Sequence, residues 1–124
     1  MDQLEALIAD TPYCRYLGLR VNDGGDLVLP GDAHHGADES RLHGGILAAA
    51  VEAAALLHLR ATRSTMVRTV ELTVDLVRAG HFSDTTISVR PLHIGRRLAR
   101  VHVVATQQHG TRLVASATGT WLLA

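Results

Sequence analysis

One glutamate interrupts an apolar run near the middle of this chain. Between Ile46 and Leu57, within LHGGILAAAVEAAALLHL (residues 42–59), every side chain is Ala, Val, Leu or Ile except Glu52. A buried carboxylate is unfavourable unless it is paired or protonated. We therefore expect Glu52 to be either a structural carboxylate with a hydrogen-bonding partner or a functional group.

The same run opens on His43, Gly44 and Gly45. Ala and Leu dominate the residues that follow, so a helix of about 20 residues is expected to begin here. The first N–H groups of a helix have no intrahelical partner and carry partial positive charge. The two glycines either only let the chain turn into the helix or also let a developing oxyanion approach these N–H groups. From its position, His43 is expected to cap the helix or to pack against it.

The elements that position these residues follow from hydrophobic spacing. Leu4, Leu7 and Ile8 predict a short amphipathic helix over residues 2–10, which Thr11-Pro12 ends. YLGLRV and LVL flank the turn residues NDGGD and predict a hairpin. The polar segment PGDAHHGADESR predicts a surface loop between this hairpin and the long helix.

After the helix the hydrophobic period changes to two. Four strands are expected in RTVELTVDL, TTISVRPLHI, LARVHVVATQ and TRLVASATGTWLLA. In the first, Val70, Leu72, Val74 and Leu76 share one face. In the second, Pro91 indicates a bulge or an edge position. The inward faces of the last two contain Val101, Val103, Ala105, Leu113, Ala115, Ala117, Trp121 and Leu123.

These elements predict one α+β domain over residues 1–124. RAGHFSD is expected to be a turn, and consecutive strands joined by short turns are expected to pair antiparallel. The long helix is the element able to cover one face of the resulting curved sheet. Because this helix is apolar nearly all round, a second surface must cover its remaining side, and the simplest candidate is a second copy of the chain.

The spacing of the candidate residues leads to the same conclusion. Gly44 and Glu52 are eight residues apart, which is roughly 12 Å along a helix axis. One carbonyl group cannot contact both residues of the same helix. If both serve one substrate, a two-fold partner must supply one of them.

Composition excludes several classes of function. Twelve basic residues balance twelve acidic ones, so nothing indicates a nucleic-acid or anionic-membrane partner. The apolar run is too short and too charged for a bilayer span, and the N-terminus lacks the pattern of a signal peptide. The single Cys14 allows no internal disulfide and fits a cytoplasmic protein. Cys14 and Ser40 have no matched base, and the histidines, including His34 and His35, show no metal-ligand spacing.

The pattern resembles the hotdog-fold acyl-CoA thioesterases over nearly the whole chain. The residues that carry the resemblance are YLGLRV, LHGGILAAAVEAA, RTVELTVDLVRAG and LHIGRRLARVHVVATQQHGTRLVASATGTWLL. The most similar branch contains the phenylacetate-pathway and 4-hydroxybenzoyl-CoA thioesterases. The resemblance implies a long central helix wrapped by a curved antiparallel sheet, and hydrolysis of an acyl- or aroyl-CoA to the free acid and CoA.

The resemblance also implies roles for individual residues. Glu52 would be the catalytic carboxylate, as nucleophile or as the base that activates water, and the Gly44 N–H of the other subunit would bind the oxyanion. His43 would help to orient the thioester. The site would lie at the subunit interface of a homodimer or homotetramer and need no cofactor or metal. Substrate binding is assigned to Gly45, Asp38, Leu56 and Arg96.

Other interpretations stay open at several positions. Arg96 and Arg97 either bind coenzyme A phosphates or are solvated charges at a hairpin end. Family members usually carry Gln or Asn six residues before the His, where this chain has Ala37, and some carry Thr or Ser where it has Leu56. Asp38 or Ser40 could substitute for that amide, although a carboxylate is a poor replacement for an amide donor. The Ala37 departure favours an alternative in which the domain binds acyl-CoA without turnover. A hotdog hydratase and a purely structural dimerisation domain fit the residues less well.

Overall fold

The computed structural model describes residues 2–32, 35–38, 41–63 and 66–123. The N-terminal region forms two short helices. α1 spans Gln3–Asp10, as predicted, with Ile8 buried and Asp2 as its N-cap. Thr11-Pro12 ends α1, but Pro12 is also the first residue of α2, Pro12–Leu17. The first helical position leaves its N–H unbonded, so proline starts a helix there without loss.

The predicted hairpin follows and is shorter than expected. β1 spans Arg20–Val21 and β2 spans Leu27–Leu29, paired antiparallel around NDGGD. The segment YLGLRV was expected to enter the hairpin from its first residue. Its residues Tyr16 and Leu17 instead belong to α2, which ends at Gly18 with φ 75°.

The four C-terminal strands are present. β3 spans Val67–Leu76, β4 spans Thr85–Ile94, β5 spans Leu98–Gln107 and β6 spans Arg112–Leu123. With β1 and β2 they form one antiparallel sheet in the order β1-β2-β4-β5-β6-β3. β3 pairs with β6 and not with β4, so the expectation that consecutive strands pair is wrong at this point. RAGHFSD is a crossing connection rather than a turn.

The connection over residues 77–84 passes the end of the β5–β6 hairpin. There the side chain of Gln107 forms hydrogen bonds with it. The Gln107 side chain is 1% exposed. Its Nε2 donates to the carbonyl of His81 and to Oγ1 of Thr85, both at 3.0 Å, and its Oε1 accepts the His81 N–H at 3.1 Å. A buried amide satisfied in this way fixes the chain that it binds.

Two bulges set which strand residues face the core. The register of β4 shifts between Pro91 and His93, as the proline predicts. In β3 the register shifts between Thr69 and Glu71, and Val70 is 57% exposed. The expected common face of β3 is therefore interrupted. Leu72 and Val74 are half-buried, whereas Val70 and Leu76 are exposed.

The long helix α3 spans Gly44–Arg63, as predicted. The apolar run alone was expected to be too short for a bilayer span. The whole helix of 20 residues is long and apolar enough to cross a membrane, by length and composition alone. In this fold it is the core helix, packed against β3, β4, β5 and β6. Its buried side chains are Leu47, Ala50, Val51, Ala53, Ala54, Ala55, Leu57 and Leu59, and they face the fully buried Val101, Val103, Ala105, Ala115 and Trp121 of the sheet.

Most described residues of the polar segment before α3 are exposed or half-buried, as expected of a surface loop, and His35 is the exception among them. His35 was expected in a surface loop, but it is fully buried. Its Nδ1 lies 3.1 Å from the carbonyl oxygen of Pro30, and its own carbonyl accepts the His43 N–H at 2.7 Å. His34 and Ser40 lie outside the described residues.

Candidate active site

Glu52 lies on the side of α3 that faces away from the sheet. Residues Gly45, Ala49, Glu52, Leu56 and Arg60 recur every three or four positions and form one stripe along the helix, which we call the outer stripe. Gly45 is exposed and the other four residues are half-buried. The stripe is therefore the part of α3 that the sheet leaves uncovered.

A pocket of about 170 Å³ lies between the outer stripe and α2. Glu52 and Leu56, both predicted site residues, lie in its wall. Within the described part of the chain, the Glu52 carboxylate has no hydrogen-bond or ion-pair partner. The remaining lining residues are Thr11, Tyr13, Cys14, Ala49, Ala53, Leu57 and Arg60.

The first N–H groups of α3 differ in their hydrogen-bond acceptors. His43 is the N-cap, and its Nδ1 accepts the Gly45 N–H at 2.9 Å. The His43 carbonyl accepts the N–H groups of Ile46 and Leu47. Among the described residues nothing accepts the Gly44 N–H. One backbone donor therefore remains at the positive end of the helix.

Gly44 lies beside the end of β3. A Cβ atom built on Gly44 would be 2.7 Å from Cδ1 of Leu76, and one on Gly45 would be 3.0 Å from Nδ1 of His43. Both glycines thus sit where a side chain would meet a neighbour. Gly44 and Glu52 are eight residues apart on one continuous helix, roughly 12 Å along its axis.

The other predicted residues lie away from this pocket. Asp38 is exposed, accepts the Arg41 N–H at 3.0 Å and forms an ion pair with the Arg41 guanidinium at 2.8 Å. Ala37 is also exposed. Arg96 and Arg97 lie at the β4–β5 hairpin, in an open cleft of about 460 Å³ that also contains Arg100 and His93. The Arg63 side chain, at the end of α3, donates to the Gly95 carbonyl of this hairpin.

Apart from Glu52 and Leu56, the residues of the Glu52 pocket were not predicted to belong to a site. Those with ionisable side chains are Tyr13, Cys14 and Arg60. Burial raises the pKa of the Cys14 thiol, and the nearby positive charge of Arg60 opposes that effect. A thiol that stays protonated is a poor nucleophile. The spacing of Glu52, Leu56 and Arg60 at intervals of four is a signal that could have identified Arg60 as a pocket residue.

The family of the chain follows from comparison with known proteins. Residues 33–122 match the family model described as the acyl-CoA thioesterase N-terminal domain. The chain belongs to this family, and it is a hotdog-fold thioesterase. No curated protein matches the chain at a significant level.

Solved structures support the same fold. A protein of the thioesterase superfamily is 26% identical, with a TM-score of 0.89 and coverage of 98% of this chain and 96% of the other. The PaaI protein of the E. coli phenylacetic acid degradation operon is 16% identical, with a TM-score of 0.86 and coverage of 98% and 91%. A thioesterase from Haemophilus influenzae is 18% identical, with a TM-score of 0.84 and coverage of 100% and 92%.

Proposed function

We propose that this thioesterase hydrolyses an acyl- or aroyl-CoA, with Glu52 as the catalytic carboxylate and the Gly44 N–H of a second subunit as the oxyanion donor. The observation that carries the proposal is the Glu52 side chain itself. It lies in a pocket with an apolar wall and has no partner among the described residues. Once a second subunit covers this pocket, a purely structural carboxylate there would need a partner.

The reaction consumes one water molecule. Either Glu52 takes a proton from water, which attacks the thioester carbonyl carbon, or the carboxylate attacks that carbon itself and water then hydrolyses the anhydride. In both routes the carbon–sulfur bond breaks, and the products are the free acid and the thiol. The carbonyl oxygen becomes negative on attack, and a free helix N–H stabilises that charge.

The hydrogen bond between His43 and Gly45 determines which N–H groups at the start of α3 remain free. Because Nδ1 of His43 accepts an N–H, the proton of the neutral imidazole is on Nε2. The Gly45 N–H is then occupied, and the Gly44 N–H remains for the substrate. The Nε2–H of His43 is a further donor that can orient the thioester.

The edge of the sheet supports a two-subunit site. β3 is the last strand in the sheet order, so within the described residues its outer edge has no partner strand over ten residues. Exposed edges of this length are normally covered. A second β3 paired antiparallel would bring the N-terminal end of one α3 towards the middle of the other, where Glu52 lies. That arrangement places Gly44 of one subunit nearer Glu52 of the next.

Coenzyme A recognition is assigned to the arginine cleft. Arg96 and Arg97 offer guanidinium groups to phosphates, in an open cleft large enough for part of a nucleotide. Gly45 and Asp38 would act indirectly, by holding the start of α3 and the loop before it. We place the enzyme in the cytoplasm, where a free Cys14 stays reduced.

The role of Glu52 as the catalytic carboxylate is tested by measuring thiol release from a panel of acyl- and aroyl-CoA thioesters. Glu52→Ala and Glu52→Gln should each lower kcat by about 10²- to 10⁴-fold while leaving the melting temperature near that of the wild type. Label found in Glu52 after a single turnover in ¹⁸O-water identifies the nucleophilic route, because it enters only when water attacks the Glu52 carbonyl of the anhydride. Attack of water on the acyl carbonyl leaves Glu52 unlabelled in either route. Unimpaired turnover by Glu52→Ala would refute the assignment.

The test of a shared site is subunit mixing. Glu52→Ala lacks the acid, and Gly44→Val blocks the approach to the donor. If the site is shared, a heterodimer contains one intact site, so an equimolar mixture should regain about a quarter of wild-type activity. If each site lies within one chain, the mixture remains inactive.

Ala37 supports a second candidate, an acyl-CoA binding module without turnover. A methyl group stands where relatives carry an amide, so no side chain at this position can hydrogen-bond a thioester or a water molecule. Calorimetry would select this candidate if acyl-CoA binds to the wild-type protein and no thiol is released.

A further inference from the structure

The Glu52 pocket contains a second charged group. Arg60 lies two turns after Glu52 on the outer stripe and contributes to the same pocket wall. No hydrogen bond or ion pair to its guanidinium is found within the described residues. Between the two charges the wall consists of Ala53, Leu56 and Leu57, with Tyr13 of α2 on the other side. The pocket is therefore apolar in the middle, with opposite charges towards its two ends.

The Arg60 side chain is directed inward rather than to open solvent. It is half-buried, and it lines the pocket together with Cys14, which is only 3% exposed. The effect of Arg60 on the pKa of Cys14 agrees with this position. A guanidinium beside an apolar wall is stabilised by an anion that completes its hydrogen bonds.

We propose that Arg60 binds a carboxylate at the far end of the acyl group, so that the enzyme prefers thioesters of dicarboxylic acids. This inference rests on the proposed role of Glu52. The Cα atoms of Glu52 and Arg60 are roughly 12 Å apart along the helix axis, and both side chains line the pocket. An acyl group held between the two charges must therefore be short, such as one built on a benzene ring or on a chain of about four methylene groups.

The volume of the pocket agrees with an acyl group of this size. A cavity of about 150 Å³ admits one benzene molecule, and this pocket measures about 170 Å³. The charges also fix the orientation of the substrate. A distal carboxylate is repelled by Glu52 and attracted by Arg60, so the thioester end is left at the catalytic carboxylate.

A phosphate of coenzyme A fits Arg60 less well. The pocket around Arg60 is narrow and mostly apolar, whereas a nucleotide is large and highly charged. The cleft containing Arg96, Arg97 and Arg100 is wider, at about 460 Å³. It offers the guanidinium groups of Arg96 and Arg97, whereas Arg100 is paired with Glu71. The structure thus provides separate positions for the acyl carboxylate and for the phosphates.

The experiment compares matched thioesters that differ only at the distal end. Adipyl-CoA and hexanoyl-CoA have the same chain length, as do terephthaloyl-CoA and 4-methylbenzoyl-CoA. In the wild type, kcat/KM should favour the carboxylate member of each pair by about tenfold or more. Arg60→Met should abolish that preference and leave the neutral member nearly unchanged. Arg60→Lys, which keeps the charge, should retain part of it.

Pantetheine thioesters distinguish the two sources of the anion. They carry the acyl group but lack the nucleotide phosphates. If Arg60 binds the acyl carboxylate, the effect of Arg60→Met persists with adipyl-pantetheine. If Arg60 binds a phosphate, the effect disappears, and the proposal is wrong. Arg96→Met is the matched control, and it should raise KM equally for both CoA thioesters of a pair and leave the pantetheine thioesters unaffected.

Failure of this inference differs from failure of the proposed function. Equal turnover of adipyl- and hexanoyl-CoA, abolished by Glu52→Ala, would overturn the role of Arg60 and keep the thioesterase assignment. Absence of thiol release from every thioester would overturn both. An equal loss for both members of each pair in Arg60→Met would assign Arg60 to folding or to the CoA moiety, and would likewise overturn the proposal.

Discussion

His43 caps α3 by accepting the Gly45 N–H through Nδ1, at 2.9 Å. Replacing His43 by Ala should therefore destabilise the fold by about 1 kcal/mol, the usual effect of losing an N-cap. His43→Asn should recover most of that stability, because Asn is also a good N-cap. Since Asn lacks a donor at the position of Nε2–H, it should not recover kcat. Thermal unfolding and thiol release measure the two effects separately, and recovery of both by Asn would show that His43 is only a cap.

Gly44 should be required for catalysis more than for folding. A Cβ at this position would meet only the end of the exposed Leu76 side chain, which can move away. Gly44→Ala should therefore fold with little change in melting temperature. Its kcat should fall by about 10²- to 10³-fold, as on loss of an oxyanion donor, because the added methyl group keeps the carbonyl from the free N–H. A Gly44→Ala protein with wild-type kcat would exclude Gly44 as the donor.

The unpaired edge of β3 should mediate dimerisation. Val70 is exposed on this strand, and Val70→Lys would place two like charges near the interface between the two copies of β3. We expect this variant to be monomeric in analytical ultracentrifugation and to lose activity together with the dimer. Leu92→Lys is the matched control, since Leu92 is 56% exposed on β4, away from that edge. Dissociation by Leu92→Lys alone would place the interface elsewhere.

Cys14 should react slowly with alkylating agents, because burial raises its pKa and the thiolate is the reactive form. The charge of Arg60 lowers that pKa, so Arg60→Met should raise it further. At a fixed mildly alkaline pH the iodoacetamide rate should then fall, and the midpoint of its pH profile should move upward. Arg96→Met, remote from the pocket, should leave the rate unchanged. Faster alkylation in Arg60→Met would mean that the substitution opens the pocket and that charge is not the controlling factor.

Much of the fold could be predicted from local sequence patterns. Periods of 3.6 and 2 identified α1, α3 and four strands, and Pro91 identified a bulge. Patterns of this kind do not show which strands pair with each other in the sheet. The connection from β3 to β4 is held across the sheet end by hydrogen bonds of Gln107 and of residues 77–84, whose sequence has the composition of an ordinary turn. Helix α2 was missed because Pro12 both ends one helix and begins the next.

The candidate site was predictable where its residues share one helix. Glu52, Leu56 and the start of α3 were identified in the sequence, and the structure places Glu52 and Leu56 in one pocket. Tyr13 and Cys14 reach that pocket from α2, which lies more than 30 residues earlier in the chain. Only tertiary packing shows this proximity. His35 was misjudged for a related reason, because its surroundings are made by Pro30 and His43 rather than by its polar neighbours in sequence.

The position of β3 also determines when the site can form during folding. β4, β5 and β6 are joined by short hairpins, whereas the pairing of β3 with β6 brings together residues as distant as Val67 and Leu123. Contacts of such long sequence separation require costly loop closure and are expected to form late. Gly44 rests against Leu76 at the end of that late strand. In refolding experiments, recovery of thioesterase activity should therefore lag behind recovery of β-sheet circular dichroism, so that turnover reports completed folding rather than collapse.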